Sequence, residues 1–410
     1  MIESLLLKKV EMVLDRGIFR GDIYVKNGRI VEVGPSLSHP AEVVLEEPHW
    51  TVLPGVIDAH VHFREPGATW KEDIASGSRS AAAGGVTSFL DMPNNTPSAT
   101  TTAQIAYKKQ IASENSLINY NFFIGATPDN LADLNACPNI AGIKIFMGSS
   151  TGTLLVDDPA ILDMIFKNGR RLIAVHAEDE AMIRENKGHF PDTDDPHLHY
   201  RIRSPEAALK ATQLAVALAD QYQRRLHICH LSTADEAAFL RTHKPPWVTT
   251  EVSPQHLCLS ADDYDRLGNK IKINPPIRTR DHRDALWTAL LDGTIDFVAT
   301  DHAPHTLEEK AKPYSQAPSG MPGVETMVSL MLTLVAQKKC TLAQVTHWLS
   351  AAPAKAYGMV RKGGIHPGND ADLTIVDLHK QATLTAERLH SKCGWTAFEG
   401  QQVTGMPVLT

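Results

Sequence analysis

The chain has 410 residues, of which 43% are hydrophobic and 21% charged, with a formal net charge of −7. That is an ordinary globular composition, long enough for one large α/β domain plus something smaller, and its acidic balance without a basic cluster argues against nucleic acid or an anionic membrane as partner. Cys137, Cys229, Cys258, Cys340 and Cys393 are scattered without paired spacing, which argues against a disulfide framework and for a reducing cytoplasm, and Leu5-Leu6-Leu7 is too short for a signal peptide or a membrane span.

Residues 1 to 52 read as short strands. Asp22-Ile23-Tyr24-Val25 and Arg29-Ile30-Val31-Glu32-Val33 flank Lys26-Asn27-Gly28, and Asn-Gly between such runs signals a hairpin because both residues tolerate positive φ. From residue 53 the texture becomes strand–helix alternation. Strand candidates fall at 56–62, 86–91, 120–125, 141–147, 171–177, 226–231, 247–253 and 295–301, with helical stretches such as 101–114, 157–168, 204–223 and 279–292 between them. Eight such units over residues 53–361 are the pattern of a (β/α)8 TIM barrel. The rival, an open doubly wound sheet, lacks a Gly-x-Gly-x-x-Gly fingerprint after the first strand. Past residue 362, Gly363-Gly364-Ile365-His366-Pro367-Gly368 breaks the helix and Asp372–Asp377 reads as a strand. Neither end is large enough alone, so 1–52 and 362–410 are expected to join as one small β domain.

In a barrel, chemistry sits where strands end. The first strand ends in His60-Val61-His62, and residues two apart on a strand share a face, so both imidazoles reach one point. Spacing alone is weak, since 19 histidines give roughly one His-x-His by chance. The second pair, His197-Leu198-His199, sits among Pro191, Asp192, Asp194, Asp195 and Pro196 and reads as a surface loop. Lys144 lies inside the fourth strand, His176 ends the fifth, His230 the sixth and Asp301 the eighth. A single buried histidine is more often structural than a ligand, and Asp301 alone reads equally as a loop cap; ligand-type residues at so many strand ends favour a metal site. Lys144, amid Ile, Phe and Met, is costly to bury charged and is expected to be neutral, paired or carbamylated. Four imidazoles, a carboxylate and a carbamate suit Zn2+ first, which lowers the pKa of bound water and points to hydrolysis, or its reverse, at a carbonyl.

These residues resemble the amidohydrolase superfamily, and within it the dihydroorotase family of cyclic-amide hydrolases. The similarity rests on Pro54–Gly67, Asp91-Met92-Pro93-Asn94-Asn95, Gly142-Ile143-Lys144, Val175-His176-Ala177-Glu178, Cys229-His230-Leu231-Ser232, Lys272-Ile273-Asn274-Pro275-Pro276 and Asp301-His302-Ala303-Pro304-His305. It implies a terminal β-sandwich flanking the barrel. It implies that His60, His62, His176, His230 and Asp301 bind metal, with Lys144 the carboxylated lysine bridging two Zn2+ ions. It implies that Arg64, Asn94 and His305 hold a substrate carboxylate, and that Asn274 and the backbone at Pro322-Gly323 contact ring amides. The implied reaction is reversible cyclisation of N-carbamoyl-L-aspartate to L-dihydroorotate in pyrimidine biosynthesis, with Asp301 as proton shuttle. The small-molecule substrate is then the main partner, and a homodimer is compatible with the chain. Arg64 has a bland reading as a surface ion pair with Glu65. The loop 304–320 reads as a shield for the site, and His256 as either packing or support. The rivals are an allantoinase or a dihydropyrimidinase (hydantoinase), whose rings lack the carboxylate that Arg64 would clamp, and a catalytically silent scaffold, which would be expected to have lost ligands.

Overall fold

The computed structural model describes residues 3–149, 154–190 and 193–410. Five strands come first: β1 (Ser4–Leu14), β2 (Gly17–Lys26), β3 (Arg29–Gly34), β4 (Val43–Glu46) and β5 (Trp50–Pro54). The β2–β3 hairpin closes at Asn27 and Gly28, with φ of 50° and 70°, the left-handed pair that the Asn-Gly signal requires.

Eight strands then alternate with helices: β6 (Val56–Val61), β7 (Val86–Asp91), β8 (Asn119–Gly125), β9 (Gly142–Phe146), β10 (Ile173–His176), β11 (Leu226–Ile228), β12 (Val248–Val252) and β13 (Phe297–Val298). Each is parallel to its neighbour, in sequence order from β6 to β13. The ring closes where the Thr300 N–H donates to Asp58 Oδ1 at 3.0 Å and the His62 N–H to the His302 carbonyl at 2.7 Å. This is the (β/α)8 barrel. The expected helices appear as Thr102–Asn115, Pro159–Asn168, Pro205–Gln221 and Arg280–Leu291. The barrel strands are buried on both faces, as parallel strands under a helical coat must be.

The last two strands, β14 (Leu373–Thr383) and β15 (Gln402–Leu409), return to the first sheet. Its order is β15-β14-β5-β1-β2-β3, with β4 on β1, so both chain ends build it around Leu7, Met12, Ile23, Val52 and Ile375. Pro54-Gly55 carries the chain from this sheet into the barrel. A Cβ on Gly55 would lie 2.4 Å from Thr87 Oγ1 and 2.9 Å from the Asp372 carbonyl, so only glycine fits the junction.

Period-two alternation decides which side chains face the barrel interior. Ile143 and Ile145 join the core shared with the helices, so Lys144 between them points inward. Val175 likewise faces outward, while Ala174 packs with Ala59, Phe123, Cys229 and Phe297 inside. Pro191 and Asp192, read as part of a surface loop, lie outside the described residues. The rest of that reading needs correction: His197 is partly exposed against Asp265, but His199 is buried, bonded to the Tyr314 hydroxyl at 2.8 Å. A Pro- and Asp-rich approach describes the backbone of that stretch, not which of its side chains turns inward.

Candidate active site

The strands end sooner than the sequence pattern suggests. β11 stops two residues before His230 and β13 three before Asp301. Arg64, His230 and Asp301 adopt φ of 63°, 34° and 48°. Non-glycine residues rarely occupy this region, and where they do the strain is usually held by the surroundings at a functional site. Arg64 therefore reaches the site by a left-handed turn, not by continued strand alternation.

The metal-type side chains converge. His60, His62 and Asp301 place ligand atoms within 4.8 Å of one another. His62 Nε2 lies 2.9 Å and His60 Nε2 3.3 Å from the same oxygen, Asp301 Oδ1. His176 Nδ1 lies 3.0 Å from His230 Nε2, and the His230 ring centroid is 5.2 Å from that of His60. Lys144 is fully buried; its Nζ donates to Cys229 Sγ at 3.0 Å and sits 5.0 Å above the Phe146 ring. Among the described residues no carboxylate lies within ion-pair distance of it, yet its charge acts on His60, His176, His230 and Asp301 alike.

Three of the four rings are fixed from behind. His60 Nδ1 meets Glu251 Oε1 at 2.5 Å, His62 Nδ1 meets Asn94 Oδ1 at 2.6 Å, and His176 Nε2 meets Glu178 Oε2 at 2.8 Å. Arg203 in turn donates to Glu178. Such partners hold the tautomer that leaves the opposite nitrogen for a cation. Glu251 is an acid inside a buried strand, a signal that could have found it from sequence; Arg203 has no such mark. Burial first, then neighbouring cations, keep His176 and His230 below the usual imidazole range, and burial lowers His62 to about 4. Burial opposes charge on His60 too, but Asp301 and Glu251 overcome it and raise it to about 10. Burial also raises Asp301, but His60, His62 and Lys144 outweigh it and hold its carboxyl below the usual range. A carboxylate-flanked imidazole that keeps a proton this firmly marks a place where positive charge is wanted. His230 Nδ1 is buried without a hydrogen-bond partner. Together with the imidazoles held neutral and a buried amine whose hydrogen-bond partner is a thiol, these features fit a divalent cation site.

Beside it lies a second cluster. Arg64 is buried, donates from Nε to the Pro304 carbonyl at 3.1 Å and places Nη2 3.2 Å from His305 Nε2. Glu65 does not pair with it; Glu65 accepts the Ile74 N–H instead. His305 is fully buried, and burial followed by the charge of Arg64 lowers it to about 3, so it is neutral. Lys71 Nζ, 3.0 Å away, must donate to its Nδ1, which puts the proton on Nε2 facing the Ser319 carbonyl at 3.0 Å. Arg64 Nη2 and His305 Nε2–H are then both donors, so their approach is a contact and not a bond; the one imidazole N–H is already bonded to the Ser319 carbonyl, and the guanidinium is the donor that faces an anion. Lys108, Asp91 and the Phe63 N–H form a buried chain of 2.5 and 2.8 Å contacts that fixes the turn into Arg64.

Asn274 Oδ1 lies 3.0 Å from His199 Nε2 and lines a cavity of about 580 Å³ with His199, Arg203, Lys272, Tyr314 and Ser319. Grooves at Trp287 and at Trp247 share no residue with this set. His256 supports: its Nδ1 meets Ser253 Oγ at 2.7 Å and its Nε2 the Pro275 carbonyl at 3.2 Å, behind Asn274. Asn94 Oδ1, 2.6 Å from His62 Nδ1, joins the substrate side to the metal side of the site. The Gly323 N–H donates to His302 Nδ1 at 3.0 Å, with Pro322 packed alongside, so that N–H is engaged within the protein.

The geometry brings four imidazoles, a carboxylate and a buried lysine to the mouth of a barrel, and residues 51–407 match the model of the amidohydrolase family. The chain belongs to the amidohydrolase family. It is 37% identical to a dihydroorotase of Methanosarcina acetivorans, over 96% of this chain and 88% of that protein. It is 39% identical to a dihydroorotase of Halobacterium salinarum, over 95% and 91%. Among solved structures it superposes on the L-hydantoinase (dihydropyrimidinase) of Arthrobacter aurescens with a TM-score of 0.94 at 28% identity, covering 100% of this chain and 94% of that one. No helix among the described residues is long and apolar enough to cross a membrane.

Proposed function

We propose that this amidohydrolase is a dihydroorotase, interconverting N-carbamoyl-L-aspartate and L-dihydroorotate. The observation that carries the reading is the adjacency of two sites of different chemistry: a cation site at His60, His62 and Asp301, and the buried Arg64–His305 pair beside it. A hydantoin or allantoin ring offers no carboxylate to that pair. The dihydroorotase relatives support the same choice over the hydantoinase whose backbone matches.

His60, His62, His176, His230 and Asp301 would hold the metal, Zn2+ by donor type, with Lys144 as a carbamate bridging a second ion. When bound, such ions polarise the scissile carbonyl and lower the pKa of water. The protein's own contribution is positional and acid–base. Arg64 clamps the ring carboxylate through its terminal nitrogens, and the neutral His305 would share its Nε2–H between the Ser319 carbonyl and that carboxylate. Asn274 presents an amide to the ring amide edge. In hydrolysis Asp301 takes a proton at its carboxylate and delivers it to the departing ring nitrogen; in cyclisation it withdraws that proton from the ureido nitrogen. The division into a terminal unit, 1–52 and 362–410, around a catalytic barrel of 53–361, and a cytoplasmic location, belong to the same reading.

The test is purified protein assayed in parallel with dihydroorotate, hydantoin and allantoin, alongside elemental analysis. Turnover of dihydroorotate alone, with bound zinc, is expected. Preferential turnover of hydantoin or allantoin would assign the site to another cyclic amide, and no turnover with bound metal would favour the silent scaffold.

A further inference from the structure

Two lysines near the site are buried without a carboxylate partner among the described residues. Lys310 Nζ donates to three backbone carbonyls: Lys272 at 3.0 Å, Pro318 at 2.9 Å and Gly320 at 2.8 Å. Lys272 Nζ donates to the carbonyls of Tyr314 and Ala317, both at 2.6 Å, and lies 4.2 Å over the Tyr314 ring. Two ammonium groups thus gather four carbonyls from the segment 314–320. A buried ammonium is expensive, and a surface loop does not need one. Burial pushes both amines down, Lys272 to about 8, while the carbonyls gathered at each Nζ are the acceptors an ammonium needs.

The gathered segment touches both ends of the substrate pocket. Its Ser319 carbonyl accepts His305 Nε2 at 3.0 Å. Its Tyr314 hydroxyl meets His199 Nδ1 at 2.8 Å, and His199 Nε2 meets Asn274 Oδ1 at 3.0 Å. Gly320, at φ 140°, passes so close to the site that a Cβ there would lie 2.5 Å from the Ala303 carbonyl and 2.9 Å from His305 Cδ2. The sequence suggests a shield over 304–320, and the contacts show its 314–320 part tied down as a strap.

We propose that Lys310 and Lys272 are positioning residues for the reaction: paired buried ammoniums that fold the 314–320 segment into one shape and through it set His305 and Asn274, and hence substrate affinity. This rests on the dihydroorotase reading of the pocket. It assigns the lysines no contact with the reacting atoms, so their loss is felt in KM before kcat.

The experiment compares wild type, Lys310→Ala and Lys310→Met with full metal occupancy verified. The expected result is a KM for dihydroorotate raised about ten-fold or more with kcat changed much less. Ethylammonium or propylammonium should restore the KM of Lys310→Ala, filling the vacated space with a cation, but not that of Lys310→Met, whose side chain occupies it. Hydrogen exchange should speed up at 314–320 while the barrel strands stay protected, a readout that needs no substrate. Unchanged KM and unchanged exchange at 314–320 would overturn the proposal. So would a parallel fall in kcat, metal content and stability that no amine restores. If Lys310 variants do not fold, Tyr314→Phe removes only the hydroxyl on His199; raised KM there supports the arm to Asn274, and unchanged KM overturns it. A wild type that turns over neither dihydroorotate nor N-carbamoyl-aspartate sinks the functional reading, while the exchange experiment still judges the strap.

Discussion

Replacing Lys144 with methionine separates a catalytic lysine from a structural one. The side chain is fully buried, with Cys229 Sγ at 3.0 Å and the Phe146 ring at 5.0 Å as the contacts of its amine. A buried ammonium costs several kcal/mol in desolvation, and its direct contacts here are only a thiol and a ring face, with the Asp301 carboxylate acting from further off. Methionine keeps the length and apolar bulk and removes the charge. In metal-free protein and bicarbonate-free buffer, Lys144→Met should therefore be as stable as wild type or more stable, by about 1–4 kcal/mol, the range seen when buried charges give way to apolar groups of similar size. Activity and the second metal should both be lost. Urea unfolding at neutral pH, compared at equal m-value, reads the first expectation; elemental analysis reads the second. A metal-free variant less stable than wild type by more than about 1 kcal/mol would mean that the amine holds the barrel together, beyond the roughly 1 kcal/mol error of such comparisons, and the carbamate assignment would fall. Full metal content in the variant would refute it equally. Lys144→Ala leaves room for a small carboxylic acid, which should restore part of the lost turnover.

Arg64→Met should leave metal content intact and lower kcat/KM for dihydroorotate about 10²–10⁴-fold, from two charge-assisted hydrogen bonds of about 1.5–3 kcal/mol each; normal turnover would remove the clamp. Glu251→Gln keeps the size but weakens the hold on His60 Nδ1, and metal affinity should fall about 10–100-fold in a chelator titration. Acid should destabilise the fold through buried neutral histidines. Burial lowers His199 to about 3, His256 to about 4 and His305 to about 3, so their stabilisation is complete above the unfolded value of 6.5 and is lost as pH falls below it. Each contributes a loss of about 2 kcal/mol between pH 6.5 and pH 5. His256→Gln should flatten the slope of unfolding free energy over that interval by its share; an unchanged slope would show that His256 titrates normally in the fold.

The sequence by itself determined the barrel. Hairpin chemistry at Asn27-Gly28 and eight strand–helix alternations are local properties, and each strand candidate became a strand. It also marked His60, His62, Lys144, His176, His230 and Asp301, because a polar residue where an apolar strand ends stands out without any knowledge of its neighbours. Tertiary structure alone decided what surrounds them. His60 meets Glu251 across 191 positions and Arg64 meets His305 across 241, separations that no local pattern encodes. His199 looked like a surface-loop residue and is buried, and the Gly323 N–H serves His302, a partner no local pattern names. Side-chain periodicity is fixed by a few bonded neighbours, whereas hydrogen-bond partnership depends on where distant segments come to rest once the barrel has closed.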